Sequence, residues 1–168
     1  MHDQPKYQPL ERSTFFDDQR ASRPLVPGTV ARGHLEADVA FYQGTSDAGM
    51  LQELPIPVTH TLLERGQERF NIYCSPCHDR TGIGFGMIVQ RGFKRPPSLH
   101  DQRLRDVPVG YLFQVIGNGF GVMPSYAAQV PAPDRWAIVA YIRALQLSQA
   151  ASLADVPAGE RQKLEQGK

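Results

Sequence analysis

Cys74-Ser75-Pro76-Cys77-His78 constrains this chain more than any other stretch. It holds both cysteines of a 168-residue protein and sets a histidine directly behind the second. With both thiols committed here, none is left over for a disulfide elsewhere or for a metal site of about four ligands. A thioredoxin-like redox pair needs C-x-x-C beside a βαβ pattern, and the sequence has none. A zinc site needs a second Cys/His cluster, and none follows. What remains is C-x-x-C-H as the attachment signature of a c-type haem. Two thiols add across the vinyl groups as thioethers, and the adjacent His78 is delivered to the iron as proximal ligand. The expected cofactor is one haem c, covalent through Cys74 and Cys77.

Composition narrows the function class. Lys and Arg number 18 against 17 Asp and Glu, so overall charge argues for neither nucleic acid nor a polybasic membrane contact. The longest apolar run, about Trp136 to Ile142, falls far short of the ~20 residues of a transmembrane helix, so no span is expected. Met1-His2-Asp3-Gln4-Pro5 is polar and lacks the apolar stretch of a secretory signal. Resemblance of the motif to those of cytochromes c implies extracytoplasmic haem attachment in bacteria, so the expected location is the periplasmic face of the inner membrane. The expectation is then that Met1 is already a mature end or that the true start, with any signal or lipidated cysteine, lies upstream.

Three regions are expected: an arm at 1–57, a haem domain at 58–148 and a tail at 149–168. The arm has prolines at 5, 9, 24, 27, 55 and 57 and no sustained apolar period, with at most a short helix near Leu35 to Tyr42. It nevertheless keeps Phe15, Phe16, Leu25, Val26, Val30, Phe41 and Tyr42, more apolar surface than a solvated tail carries. Such a segment is expected to bury these residues on its own haem domain and on partner subunits. The pattern changes at Thr59. Thr61-Leu62-Leu63-Glu64 fits a capping box, and Leu62, Gly66, Phe70 and Tyr73 then mark one helical face running into Cys74. Val109, Leu112, Phe113 and Ile116 predict a second helix behind a cap at Asp106. Ile138, Tyr141, Ile142 and Leu145 predict a third, opened by Pro131-Ala132-Pro133. The expected class is all-α. From about 151 the periodicity fades into a frayed tail.

Thr81-Gly82-Ile83-Gly84-Phe85-Gly86 lacks the strand and the Lys-Ser/Thr of a phosphate loop. Its glycines are expected to let backbone pass close to the porphyrin. For the other axial position, thioether sulfur is a soft ligand that favours ferrous iron. Met123 sits in Gly119-Phe120-Gly121-Val122-Met123-Pro124, where Pro124 biases it toward extended backbone. His78 and Met123 are therefore the expected metal ligands. Met50 and Met87 read as core fillers. Among histidines His100 is the rival ligand, ahead of His2, His34 and His60. Arg91, Lys94, Arg95, Arg103 and Arg105 make a basic stretch suited to haem propionates or an acidic partner.

Gly66-x-x-x-Phe70-x-x-x-Cys74, the C-x-x-C-H motif, Pro97-Ser98-Leu99, Met123-Pro124 and Ala140-Tyr141-Ile142 together resemble a small monohaem cytochrome c fold over about residues 58–148. The resemblance implies that the first and last helices cross at Gly66 and Phe70 against Tyr141. It also implies that the Pro97 carbonyl accepts the Nδ1–H of His78, which would fix the ring and raise its donor strength. The Pro96-Pro97 pair leaves open which carbonyl serves.

Met1 to Tyr7 and Ser22-Arg23-Pro24-Leu25-Val26-Pro27-Gly28-Thr29-Val30-Ala31-Arg32-Gly33 resemble the monohaem cytochrome subunit of bacterial alternative complex III, a membrane-bound quinol-oxidising assembly. This implies a multihaem cytochrome and other subunits as partners, and a periplasmic carrier or terminal oxidase as acceptor. It implies one-electron transfer with no substrate chemistry at this haem. The alternatives are a freely diffusing cytochrome c and a haem enzyme with an open distal site. That family carries a lipid-anchored cysteine at its mature N-terminus, and no cysteine precedes Cys74 here.

Overall fold

The computed structural model describes residues 4–166. The expectations on Met1, His2 and Asp3 lie outside these residues. The chain divides into two compact units, the first running to Glu36 and the second beginning at Ala37.

The described part of the first unit is built from turns. An antiparallel bridge joins Arg12 to Arg20, and Ser13 N–H donates to the Gln19 carbonyl at 3.0 Å. The Arg23 guanidinium pairs with Asp18 and lies 4.2 Å from the Phe16 ring centre. Leu10, Phe15, Leu25 and Val26 stay exposed.

The second unit is helical around one apolar core. Asp38 caps α1 (Val39–Gln43) by accepting from Phe41 N–H, and Gly44 ends it at φ +72°, a left-handed turn suited to glycine. A two-strand hairpin follows, β1 (Thr45–Ser46) and β2 (Gly49–Met50). α2 (His60–Arg69) leads through a π-helical turn, Phe70–Cys74, into α3 (Ser75–His78). Two single turns come next, α4 (Met87–Gln90) and α5 (Gln102–Arg105). They are followed by α6 (Val109–Asn118), α7 (Ala132–Ala150) and α8 (Ala158–Gln166). Phe70, Phe113, Trp136, Ile138 and Val139 form the buried centre, with Phe113 stacked on Trp136 at 4.2 Å. No helix of the described residues is long and apolar enough to cross a membrane.

Several expectations are corrected here. Residues 37–57 belong to the helical unit: Phe41, Tyr42, Leu51, Leu54 and Ile56 pack on its core, and Trp136 Nε1 donates to the Phe41 carbonyl at 2.7 Å. The α2 cap is Thr59, whose hydroxyl accepts from Leu62 N–H at 3.1 Å. Its extended backbone opens the helix two residues before Thr61, and Glu64 lies within 3.4 Å of His60 instead. Asp106 closes α5, and Pro108 stands at the start of α6. Met50 and Met87 are exposed and fill no core. Beyond 151 the chain turns helical again in α8.

Candidate cofactor site

α2 owes its position to one close contact with α7. A Cβ on Gly66 would sit 2.7 Å from the Ala137 carbonyl carbon and 2.8 Å from the Tyr141 Cβ, so only glycine lets the backbones meet. One turn on, the Phe70 ring packs 5.5 Å from that of Tyr141. Arg65 clamps the same crossing with two bonds to the Asp134 carboxylate, at 2.8 and 2.9 Å. The crossing that the resemblance implied is therefore present.

From this anchor the π-helical turn delivers Cys74, and Ser75 Oγ donates back to the Asn71 carbonyl at 2.8 Å. Burial, reinforced by the charge of Cys77, pushes the Cys74 thiol up to about 12. At neutral pH it is a protonated thiol and a poor nucleophile, unlike the activated sulfur of a redox pair. Burial also lowers the pKa of His78, against the opposing charge of Asp79, which keeps the imidazole neutral and able to ligate. Its Nδ1 is buried and has no hydrogen-bond partner among the described residues, so no bond to the Pro97 carbonyl is formed. Pro97 is exposed, and the Pro96 carbonyl turns toward Gly84.

Immediately after His78 the chain reverses at Asp79, whose φ of +55° is rare for a residue with a Cβ. Its carboxylate accepts from the Thr81 hydroxyl and from the N–H groups of Thr81 (2.6 Å) and Phe85 (3.0 Å). Gly84 and Gly86 donate to the His78 and Cys77 carbonyls at 2.9 and 3.0 Å. Gly84 and Gly86 of this loop approach protein backbone, and Gly82 approaches the side chains of Leu99 and His100. A Cβ on Gly86 would sit 2.6 Å from the Ser75 carbonyl oxygen, and one on Gly84 would sit 2.5 Å from that of Pro96.

Met123 belongs to a tight hairpin. Its N–H donates to the Phe120 carbonyl at 3.0 Å, and Phe120 N–H donates to its carbonyl at 2.9 Å. Gly121, at φ +59°, makes the turn. Met123 lines a cavity with Cys74, Cys77, His78, Tyr73 and Tyr126. A second cavity shares His78, Lys94, Pro96, Val122 and Met123, and adds Pro97, Arg95, Arg103 and Tyr111. His100 lines neither; its Nε2 is bonded to the Thr81 carbonyl at 2.6 Å. The wall at 99–107 is pinned from α7: Arg143 donates to the carbonyls of Leu104, Arg105 and Val107, and Gln146 donates to that of Leu99.

Residues 61–142 match the family model described as Cytochrome C oxidase, cbb3-type, subunit III. Over these residues the chain is similar to a cytochrome c domain, which supports a c-type cytochrome. A search of curated proteins returns no match to the chain. Such a domain carries covalently bound haem c and serves haem-mediated electron transfer. The residues present fit that group. Two unpaired thiols, a neutral imidazole and a thioether line one largely apolar cavity. Sequence reasoning missed Tyr126, Asp79 and the Arg143–Gln146 tie. Only Asp79 left a trace, as the acidic residue opening a glycine-rich loop.

Proposed function

We propose that this chain binds one haem c through Cys74 and Cys77, with His78 and Met123 as axial ligands, and passes single electrons as a subunit of a membrane-bound quinol-oxidising complex. The observation that carries this reading is the single cavity lined by both thiols, His78 and Met123. The bound group would supply a reversible one-electron iron couple, and a thioether ligand favours its ferrous state. The chain's own residues set the conditions. Phe120 and Val122 flank Met123 with apolar side chains and offer no acid/base pair, so no substrate chemistry is expected there. Lys94, Arg95 and Arg103 line the second cavity, which supports their pairing with propionate carboxylates.

The exposed apolar residues of the first unit support a docking role for an arm that meets a multihaem cytochrome and other subunits at the periplasmic face. The acceptor would be a periplasmic carrier or terminal oxidase. The matched family's name, a subunit of an oxidase, fits work within such an assembly. Purification in detergent with haem staining tests the reading. A haem-bearing band that keeps its colour in acid acetone and co-migrates with multihaem chains is expected. A haem-bearing chain that elutes alone from the soluble fraction would instead make it a diffusing carrier, and rapid CO binding by the native reduced protein would make it an open-site haem protein.

A further inference from the structure

Met123 is fixed to its own hairpin by both backbone groups, so the hairpin moves as a unit. What ties that unit to the scaffold is the frayed end of α6. A helix leaves its last carbonyls without partners, and here the Met123 loop takes three of them in succession. Gly119 N–H donates to Val115 at 2.9 Å, Tyr126 N–H donates to Ile116 at 3.0 Å, and the Ser125 hydroxyl donates to Gly117. The same hydroxyl accepts from Ala127 N–H at 3.3 Å. Among these ties Ser125 supplies the one side chain, two residues from the sulfur ligand.

We propose that Ser125 is a positioning residue that holds Met123 over the cavity by locking its hairpin to the C-terminus of α6. The proposal rests on the reading of Met123 as axial ligand. Ser125 itself lines neither cavity, so its effect on the iron can pass only through the loop. With the hydroxyl gone, the hairpin would gain freedom to swing Met123 away, and an outside ligand would compete more easily. The expected gain is about 2- to 10-fold, the weight of one neutral hydrogen bond.

The test uses the full haem-loaded chain and imidazole as the competing ligand of the oxidised form. Ser125→Ala should bind imidazole 2- to 10-fold more tightly and lose intensity in the iron–sulfur charge-transfer band, with haem attachment and urea midpoint little changed. Ser125→Thr, which keeps the hydroxyl, should restore both. Gly119→Ala gives a second route. It strains a φ of +80° and sets a Cβ 2.5 Å from the Met123 carbonyl oxygen, so its imidazole affinity should rise further. Unchanged imidazole affinity and band in Ser125→Ala would overturn the proposal while leaving the ligand reading intact. A parent protein lacking the band would overturn both.

Discussion

The Cys–His segment and the Met123 hairpin line the same cavity but are held by different means. The first ends a helix whose backbone touches α7 at Gly66 and whose Phe70 is wholly buried against Tyr141. The second is a four-residue turn held by carbonyls at the end of α6 and one hydroxyl. One wall is part of the core; the other hangs from it. Changes on the first wall should therefore cost stability, and changes on the second should alter ligation at little thermodynamic expense.

The largest expected effect is Phe70→Ala, which should lower unfolding free energy by about 3–5 kcal/mol in urea titration. An equal loss in Met123→Leu would erase the contrast between the walls. Gly66→Ala comes next, at about 3 kcal/mol, because two helix backbones must part. Meanwhile Met123→Leu should abolish the iron–sulfur band and admit CO, with a smaller shift in the urea midpoint.

The loop after His78 sits between these extremes. Burial pushes the Asp79 carboxyl up, but hydrogen bonds from Thr81, Phe85 and Gly82 outweigh it, and its pKa lies below the ordinary 3.8. A carboxyl lowered in the folded state stabilises fully above 3.8 and loses that contribution as pH falls through the folded value. Asp79→Asn should thus be less stable than the parent at pH 7, with the gap closing in acid. A gap independent of pH would show that the carboxylate's charge plays no part in ordering the loop.

The parts legible in the sequence share a property: each is local or periodic. The C-x-x-C-H motif, the α2 face at Gly66 and Phe70, and Met123 before Pro124 could be read from short spacings alone. The structure gathers Cys74, Cys77, His78 and Met123 at one cavity. The place of segment 37–57 was illegible because its core-packing side chains, Phe41, Tyr42, Leu51, Leu54 and Ile56, follow no sustained period and are joined by backbone contacts. The Phe41 carbonyl accepts from Trp136 Nε1–H, the Leu51 carbonyl accepts from Gly110 N–H at 3.0 Å, and Gly110 passes so near Gly44 that a Cβ would strike its carbonyl oxygen. No apolar stripe announces such contacts. The cap at Thr59 was missed because Thr61 with Glu64 satisfies the capping-box pattern while Thr59 is followed at that spacing by Leu62, and only the extended backbone of Thr59 reveals it as the cap.

The π-helical turn at Phe70–Cys74 carries a consequence for how this domain tolerates insertion and deletion. Relative to an α-helix it holds one additional residue, and each residue advances an α-helix by about 100°. It works as a phase adjuster: the face of α2 pressed on α7 and the face presenting the thiols are set independently. Removing Asn71 to regularise the helix would swing both sulfurs around the axis while leaving the crossing at Gly66 undisturbed, yielding a folded polypeptide whose thiols no longer meet the cofactor they are spaced to hold.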